Sequence, residues 1–366
     1  MKKIAFRVDA SIEIGTGHLM RCKTLASEMM KTGAEVIFLS RNMPQSCAKL
    51  LDESGIAYIN LTSFSNEALN GRSPYDKWLG TSQDADSWEC MSVLSGMECD
   101  LLVVDHYSLD ASWEGRMRPF TKKIMVIDDL ADREHDCDFL LDQNYYVDME
   151  SRYKAKVSIK CTLFLGPKFA ILKSEFGRIH KNILPRTSIK NILVSLGGVD
   201  VNNFTAVTLH AISMFEDEKF KVDVVIGAVH PMPETIFAIC KRFKFNVHVQ
   251  TEEMAQLMAQ ADLAIGASGA TTWERCCLGL PSLVVTLAEN QVQIAQDIDS
   301  YGASLYIGSE DFVSANIIFN VISALIDNPK KLLKLSKSAY ALVDGEGAAR
   351  VLKKIGMKNE DFNSMH

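Results

Sequence analysis

Short apolar runs of strand length alternate with amphipathic helical patterns from one end of the sequence to the other, and this alternation constrains the fold more than any other feature. It is typical of parallel sheets whose strands are joined by crossover helices. The predicted strands lie at residues 4–8, 35–40, 101–105, 124–128 and 139–142 in the first half, and at 191–195, 222–226, 246–250, 262–266 and 282–286 in the second. We therefore predict an α/β protein with two Rossmann-like, doubly wound domains facing across a cleft.

The length of the chain also favours two domains, because 366 residues exceed what one hydrophobic core usually supports. Residues 173–188 lose the alternation and carry Gly177 and Pro185 among basic residues, which is typical of a linker. Residues 63–86 show no clear period and are predicted to form a long surface excursion. The predicted boundaries are 1–180 for an N-terminal domain, 188–345 for a C-terminal domain and 346–366 for a C-terminal helix and polar tail.

Charge and cysteine content exclude several classes of protein. The formal net charge of -7 does not suit a nucleic-acid-binding surface, which needs clustered Lys and Arg to replace phosphate counterions. Nine scattered cysteines without a CxxC pair indicate neither a disulfide framework nor a zinc site, and favour a reducing compartment. The opening MKKIAF reads as a strand rather than a signal peptide, and no apolar stretch is long enough to cross a bilayer. We expect a soluble cytoplasmic protein that binds neither nucleic acid nor membrane.

A glycine-containing turn follows the first strand, where the sequence runs from Asp9 to His18 as DASIEIGTGH. Gly15 and Gly17 permit a close approach of the backbone to a ligand, and the next helix points its first N–H groups at the same place. His18 would begin that helix, whose positive end disfavours an imidazolium and so favours a neutral general base. The spacing is also compatible with a histidine that only packs against the helix or caps it.

Two loops of the second half, SLGGVD at 195–200 and GASGATTWE at 266–274, combine a strand end, glycines and a helix start. Both offer backbone N–H groups for a diphosphate. Glu274 lies about one turn into its helix, where it can accept hydrogen bonds from a ribose diol or simply complement the helix dipole. After the strand at 282–286, Asn290 and Gln291 can contact sugar hydroxyls or N-acyl groups, or Glu289 and Asn290 can simply form a helix N-cap. The candidate nucleotide-binding residues are Gly197, Gly198, Ser268, Gly269, Thr272 and Glu274.

Polar residues also close three strands of the first half, with Asp105 and Tyr107 after one, Asp128 and Asp129 after the next, and residues 142–144 after the third. In an open parallel sheet such strand ends face one crevice. Four neighbouring side chains could be considered as metal ligands, namely Asp128, Asp129, Asp132 and His135. Because carboxylates at strand ends are usually loop caps, we predict no metal, and we predict no cofactor.

Taken together, these segments resemble the UDP-sugar hydrolases of pseudaminic acid biosynthesis over almost the whole chain. The resemblance rests on RVDASIEIGTGHLMRC, LLVVDHYSLDASWE, VIDDLADREHDCDFLLDQN, FLGPKFAILKSEF, ILVSLGGVD and GASGATTWERCCLGLP followed by ENQ. It implies a small relative of the two-domain GT-B glycosyltransferases, including the one that forms peptidoglycan lipid II, with UDP on the C-terminal domain. The implied reaction is metal-independent hydrolysis of UDP-2,4-diacetamido-2,4,6-trideoxy-β-L-altropyranose, with inversion, by water attack at the anomeric carbon.

The resemblance also implies roles for particular residues. His18 matches the catalytic histidine of the family, and Tyr107 in the DHY run matches a tyrosine near the sugar, so both are predicted to be catalytic. The predicted substrate-binding residues are Asp9, Gly15, Gly17, Arg21, Asp105, Asn290 and Gln291. Some members carry Asn just before the helix glutamate where this chain has Trp273, so no polar contact is assigned there.

Two other functions fit the same residues. A glycosyltransferase of the same fold would use His18 to deprotonate an acceptor hydroxyl instead of water. The sequence lacks a basic, apolar cluster near the first helix, which favours the hydrolase. A non-catalytic module would bind the nucleotide sugar without turnover, and His18 at a helix start argues against it. We expect a UDP-linked diacetamido sugar as the ligand, with other enzymes of the same pathway as conceivable partners.

Overall fold

The computed structural model describes residues 1–11, 13–41, 43–61, 74–215 and 220–357. The chain divides into two compact units. Unit 1 contains residues 1–144, residues 148–171 and the C-terminal segment from Gly347, and unit 2 contains residues 145–147 and 172–346. In each unit the described residues form one parallel sheet with helices between successive strands.

Among the described residues that precede position 172, unit 1 has seven strands and five α-helices. The strands are β1 (Lys3–Val8), β2 (Glu35–Arg41), β3 (Ala57–Leu61), β4 (Leu101–Asp105), β5 (Ile124–Ile127), β6 (Phe139–Asp142) and β7 (Thr162–Leu165). The helices are α1 (Gly17–Met30), α2 (Gln45–Asp52), α3 (Gln83–Leu94), α4 (Ala111–Met117) and α5 (Met149–Arg152). The sheet order is β3-β2-β1-β4-β5-β6-β7, so the strand order changes direction between β1 and β4. Ligands of open α/β sheets bind beyond the carboxyl ends of strands at such a point.

The core of unit 1 lies on both faces of its sheet. Successive side chains of a strand point to opposite faces, so Phe6 packs with Leu19 of α1 on one face, and Ala5 packs with Trp113 of α4 on the other. Helix α1 buries residues spaced three and four apart, which is the apolar stripe of a helix on a sheet. The near-continuous apolar strands are those expected of a parallel sheet covered on both faces.

Unit 2 repeats the arrangement with six strands and eight helices among its described residues. The strands are β8 (Asn191–Ser195), β9 (Lys221–Ile226), β10 (Asn246–Val249), β11 (Leu263–Ala267), β12 (Ser282–Thr286) and β13 (Leu305–Ser309). The helices are α6 (Ser174–His180), α7 (Phe204–Ser213), α8 (Pro233–Phe243), α9 (Met254–Gln260), α10 (Thr271–Cys277), α11 (Val292–Tyr301), α12 (Ala315–Ile326) and α13 (Pro329–Leu342). The sheet order is β10-β9-β8-β11-β12-β13, and the direction changes between β8 and β11.

The segment predicted as a linker, residues 173–188, belongs to unit 2. It contains helix α6, and Gly177 packs so closely on the chain that a Cβ there would lie 3.2 Å from the Gly345 carbonyl oxygen. Arg186 is buried and donates to the Ala261 and Leu278 carbonyl oxygens. Residues 172–180, predicted to be in the first domain, are therefore held in unit 2 by buried contacts.

The C-terminal helix α14 (Gly347–Lys354) returns to unit 1 instead of forming a separate element. Val351 and Leu352 are buried in the core cluster that contains Leu19. Gly347 allows the close approach, since a Cβ there would come within 2.2 Å of the Ala170 carbonyl oxygen. The polar end of the tail, residues 358–366, lies outside the described residues.

The predicted fold class is confirmed, and all ten predicted strands are present with bounds that differ by at most one residue. The predictions omitted β3, β7 and β13, each of which forms an edge of its sheet. Of the predicted surface excursion, residues 63–73 lie outside the described part, whereas Asp76–Trp78 form a 3₁₀ turn and α3 begins at Gln83. Within the described ranges no helix is both long and apolar enough to cross a membrane.

Candidate functional site

His18 lies in the first turn of α1, directly after the glycine turn that follows β1. The turn closes because the Gly15 N–H donates to the Ser11 carbonyl oxygen at 2.8 Å, while Ser11 Oγ accepts from the Ile14 N–H at 3.0 Å. Gly15 has a φ of +77°, a left-handed conformation that side chains other than glycine adopt only with strain. Helix α1 can therefore begin at Gly17, which leaves the His18 side chain 11% exposed.

Asp105, the last residue of β4, holds both His18 and Arg21. Its Oδ1 lies 2.6 Å from His18 Nδ1 and 2.7 Å from Arg21 Nη2, and its Oδ2 lies 2.6 Å from Arg21 Nε. Strand β4 pairs with β1, so its carboxyl end lies beside the start of α1. His18 and Arg21 are three residues apart on α1 and so face the same side of the helix. The structure thus brings together three of the predicted site residues.

The ionisation of Asp105 decides which nitrogen of His18 carries a proton. Burial alone would raise the pKa of Asp105, but the charge of Arg21 and the hydrogen bond from His18 outweigh burial and hold the pKa well below its ordinary value. A carboxylate only accepts hydrogen bonds, so a neutral His18 donates its Nδ1 proton to Asp105. Its Nε2 is then left with a lone pair, which is what a general base needs.

A second carboxylate, Asp129, completes the group. Its Oδ2 accepts hydrogen bonds from Arg21 Nη1 at 2.7 Å and from the Tyr107 hydroxyl at 2.8 Å, and its Oδ1 accepts from Asn144 Nδ2 at 2.9 Å. Burial raises the pKa of Tyr107, and the charge of Asp129 raises it further. Tyr107 therefore stays protonated with its proton directed at Asp129, so a role in orienting substrate suits it better than proton transfer.

Aromatic rings cover one side of His18. The Tyr107 ring meets the His18 ring edge-on, with centroids 4.6 Å apart, and Trp78 stacks on Tyr107 at 5.4 Å. Tyr75 contacts both Trp78 and Tyr107 at centroid distances of 4.8 and 5.1 Å. Trp78 and Tyr75 are half-buried and come from the excursion before α3. Tyr107 was among the predicted site residues, but Trp78 and Tyr75 were not, because the excursion has no periodicity that places its side chains.

Asp9 lies in a separate buried network. Its Oδ1 accepts from Arg7 Nη1 at 2.5 Å and from the Arg41 backbone N–H at 2.6 Å. Burial alone would raise the pKa of Asp9, but the charge of Arg7 and a hydrogen bond from His106 hold it well below its ordinary value. The carboxylate ties the ends of β1 and β2 together. These contacts use Oδ1 within the protein, and the role of Asp9 in substrate binding stays a prediction.

The carboxylates considered for a metal site are engaged by protein groups. Asp128 accepts from Arg133 Nη1 at 3.0 Å and from the Ala131 N–H at 2.8 Å. His135 Nδ1 lies 2.7 Å from Glu114 Oε1. Burial alone would lower the pKa of His135, but Asp128 and Glu114 outweigh it and raise the pKa to about 9. In the part of the chain that the structure describes, no group of three or more His, Cys, Asp or Glu side chains could hold a metal ion.

In unit 2, loop 195–200 runs from the end of β8 to α7 with its backbone close to β9. A Cβ at Gly227 would lie 1.9 Å from the Gly198 carbonyl oxygen, so only glycine fits there. Gly197 has a φ of +94°, and a Cβ built on it would meet no atom within 4 Å. Asp200 accepts from the N–H groups of Phe204 and Thr205 at 2.8 and 2.9 Å, which fixes the start of α7. The loop therefore has open space beside its first glycine.

The predicted amide donors of loop 266–274 are partly used within the protein. The Ser268 N–H donates to the Val285 carbonyl oxygen at 3.1 Å, and the Thr272 N–H donates to that of Gly269 at 2.9 Å. The Ser268 hydroxyl is buried and has no hydrogen-bond partner among the described residues. Space beside Gly269 is open, since a Cβ there would meet no atom within 4 Å. At Ser268 the hydroxyl, rather than the amide, therefore remains as a donor for a ligand.

The remaining predicted residues of unit 2 differ in burial. Glu274 is half-buried, and burial raises the pKa of its carboxyl to about 7. Trp273 is 1% exposed and packs in the interior. Asn290 is exposed in the 3₁₀ turn Glu289–Gln291 after β12, whereas Gln291 Oε1 accepts from the Leu287 N–H at 3.0 Å. Gln291 therefore stabilises its own loop.

Solved structures with the same architecture are known at low sequence identity. MurG of Acinetobacter baumannii aligns over 97% of this chain and 99% of its own, with a TM-score of 0.65 and 14% identity. MnaA of S. aureus, solved with UDP, aligns over 97% of this chain and 96% of its own, with a TM-score of 0.61 and 12% identity. The chain has a GT-B-like fold. Residues 192–354 of this GT-B-like chain match the glycosyltransferase family 28 C-terminal domain.

Relatives of this GT-B-like protein are also distant in sequence. The UDP-2,4-diacetamido-2,4,6-trideoxy-β-L-altropyranose hydrolase of Campylobacter jejuni is 24% identical over 295 residues, which cover 80% of this chain and 94% of the relative. The spore coat polysaccharide biosynthesis protein SpsG of Bacillus subtilis is 28% identical over 70% of this chain and 76% of its own. An uncharacterised protein of Methanocaldococcus jannaschii is 26% identical over 80% of this chain, and the match spans 56% of that relative's length.

Proposed function

We propose that the chain hydrolyses a UDP-sugar, UDP-2,4-diacetamido-2,4,6-trideoxy-β-L-altropyranose, to UDP and the free sugar. Unit 2 would bind UDP, and His18 of unit 1 would act as the general base. The observation that carries the proposal is the 2.6 Å contact between His18 Nδ1 and Asp105 Oδ1, which leaves Nε2 free to accept a proton. The Campylobacter jejuni relative, which bears this activity in its name and matches along 80% of this chain, supports the choice of substrate.

In the proposed reaction a water molecule attacks the anomeric carbon from the face opposite UDP. A new carbon–oxygen bond forms, the bond from carbon to the β-phosphate oxygen breaks, and its electron pair leaves with UDP. The proton of the water passes to His18 Nε2, while Asp105 stabilises the imidazolium that forms. Diphosphate is a good leaving group when its charge is stabilised, so the proposal includes no metal and no general acid.

Both parts of the proposed reaction have supporting features: activation of the water in unit 1 and binding of UDP in unit 2. In unit 1, Arg21 holds Asp105 and Asp129 in place, and Tyr107 would orient the sugar or the water. In unit 2, the unpartnered hydroxyl of Ser268 and the open space beside Gly197 and Gly269 support binding of a diphosphate. Glu274 would contact the ribose, and Asn290 the sugar. We propose a cytoplasmic location, which the nine free cysteines favour because a reducing compartment keeps thiols unpaired.

A second candidate is a glycosyltransferase that uses the same base. It is favoured by the match of residues 192–354 to the glycosyltransferase family 28 C-terminal domain. Three relatives that match about a third of the chain are N-acetylglucosamine transferases acting on a lipid-linked muramyl pentapeptide. In that reaction His18 would take a proton from an acceptor hydroxyl. The two candidates share every residue discussed so far and differ only in the nucleophile.

The deciding experiment measures UDP release from the UDP-linked diacetamido sugar in the presence of EDTA, for the wild type and for His18→Ala. The hydrolase predicts release of UDP and free sugar without any acceptor, and a loss of most turnover in the variant with UDP affinity retained. Release only after addition of a lipid-linked acceptor would establish the transferase instead. Binding of the nucleotide sugar without turnover under both conditions would indicate a binding module.

A further inference from the structure

Arg275 directly follows loop 266–274 in the sequence, and its buried guanidinium lies against that loop. It lies in α10, is 2% exposed, and directs its guanidinium back along the loop. Its Nη2 donates to the Ala267 carbonyl oxygen at 2.9 Å and to Thr272 Oγ1 at 3.0 Å, and its Nη1 donates to Thr271 Oγ1 at 3.1 Å. One side chain therefore connects the end of β11 to the first turn of α10.

Arg275 forms no ion pair with any residue that the structure describes. Among the described residues no carboxylate oxygen lies within 4.0 Å of its guanidinium, and its buried Nε has no hydrogen-bond partner. Burial lowers the pKa of Arg275 to about 10. The adjacent Glu274 is a weak counter-charge near neutral pH, because burial raises its own pKa to about 7. Buried charges in proteins are normally paired or fully hydrogen-bonded, so the unpaired charge of Arg275 together with its unpartnered Nε–H points to an anionic partner.

The backbone is shaped to admit this guanidinium. A Cβ at Gly266 would lie 2.7 Å from Arg275 Nη1 and 2.7 Å from the Ser195 carbonyl oxygen. Glycine at position 266 thus leaves the room that the guanidinium occupies, next to the end of β8. Since Ser195 begins loop 195–200, the charge of Arg275 lies close to both glycine loops of unit 2.

We propose that Arg275 positions loop 267–272 for a nucleoside diphosphate, and that the diphosphate supplies the negative charge that this guanidinium lacks in the protein. The inference rests on the proposed UDP-binding role of unit 2 and extends it to a residue that contacts the loop. Arg275 acts through the carbonyl and the two hydroxyls that it holds, and through its charge. It therefore affects the diphosphate more than the uracil and ribose.

The test compares affinities for UDP and for uridine, measured by NMR titration so that weak binding of uridine is also quantified. Two full-length variants are compared with the wild type. Arg275→Met keeps a side chain of similar volume and removes the charge, whereas Arg275→Lys keeps the charge and loses the planar guanidinium group with its several N–H donors. Arg186→Lys is the matched control. Arg186 is also buried and pairs with carbonyl oxygens rather than carboxylates, but it lies at the opposite end of β11, beside Ala261.

We expect Arg275→Met to weaken UDP binding by about tenfold or more while changing uridine binding by less than about twofold, because charged hydrogen-bonding groups contribute on that scale. Arg275→Lys should show a smaller loss of the same kind. Arg186→Lys should lower the melting temperature and leave the ratio of the two affinities unchanged.

Equal losses for UDP and uridine, or no loss in either, would overturn the inference. If Arg275→Met does not fold, as judged by circular dichroism, the comparison of Arg275→Lys with Arg186→Lys decides, and equal affinity ratios in that pair also overturn it. A wild type that binds neither ligand would refute the proposed function, and with it this inference. A wild type that binds UDP with a ratio unaffected by Arg275 would refute this inference alone.

Discussion

Replacing Asp105 with Asn removes one charge and almost no volume, so it tests how the base is held. In the wild type the carboxylate accepts the Nδ1 proton of His18 at 2.6 Å. An amide at this position can donate its own N–H to Nδ1, which moves the histidine proton to Nε2 and blocks the base. Loss of the carboxylate partner of a catalytic histidine lowers kcat by about 10⁴-fold in the serine protease triad. We therefore expect Asp105→Asn to lower the rate of UDP release by about 10³- to 10⁴-fold.

The same substitution also weakens folding, and the structure indicates how much. With the amide nitrogen facing His18, Arg21 loses its 2.7 Å contact through Nη2 and keeps only an uncharged acceptor for Nε. Its contact with Asp129 at 2.7 Å remains. Removing one partner of a buried ion pair costs about 3–5 kcal/mol, and the remaining carboxylate should keep the cost near the lower end. The assay must therefore measure kcat per folded molecule, with the folded fraction determined by urea denaturation.

Asp86→Asn is the matched control for this prediction. Asp86 is equally buried and accepts from Arg7 Nε at 3.1 Å and Nη2 at 2.6 Å, but it belongs to the network of Asp9. It should destabilise unit 1 by a similar amount with kcat per folded molecule almost unchanged. The reasoning fails if Asp105→Asn retains more than about a tenth of the wild-type rate, or if Asp86→Asn slows the reaction as strongly.

Three further changes test other parts of the structure. Trp78→Ala removes the ring stacked on Tyr107 and should raise KM for the nucleotide sugar about tenfold without changing the Kd of UDP; an unchanged KM contradicts a role of the aromatic wall. The pKa of Glu274 rises from 4.5 to about 7 on folding, so the wild type loses stability as the pH rises through that range. Glu274→Gln should therefore have a higher melting temperature than the wild type at about pH 8, but not at about pH 4. The pKa of His135 rises from 6.5 to about 9 on folding, so the stabilisation from its charged form is full below pH 6.5 and is lost as the pH rises through 9. The melting temperature of His135→Gln should therefore change less with pH over that range than that of the wild type. A parallel decline in both proteins would refute this.

The two sheets could be predicted because central parallel strands are buried on both faces and so carry continuous apolar runs. The predicted bounds of β4 and β12 match those in the structure, and their residues, LLVVD and SLVVT, are all buried. The omitted β13 reads LYIGS, is half-buried throughout, and contains Gly308 with a φ of +124° near a register shift opposite β12. Edge strands need less apolar surface, so their sequences resemble loops.

The candidate site could be predicted only where a residue closes a strand or begins a helix. His18 and Asp105 are such residues, and the structure places them in contact. Asp129 was visible as a strand end, but its pairing with Arg21 joins positions 108 residues apart, and no local pattern encodes that distance. Arg275 was missed because an arginine inside an amphipathic helix is ordinarily exposed, and only the structure reveals that it points inward.

Three carboxylates, Asp9, Asp105 and Asp128, lie at or just beyond the ends of strands in unit 1, and all three have pKa values held below the ordinary value by nearby cations against the effect of burial. The local sequences around these three residues do not distinguish a carboxylate that stabilises the fold from one that orients a base. What differs is the origin of the cation: within the same strand for Asp9, from the following loop for Asp128, and from the helix that carries His18 for Asp105. An arginine three residues after the helix-starting histidine must face the same carboxylate as that histidine, because residues three apart share a helix face. The His-x-x-Arg spacing of α1 therefore predicts a shared carboxylate partner for the base, and the pairing of β1 with β4 makes Asp105 that partner.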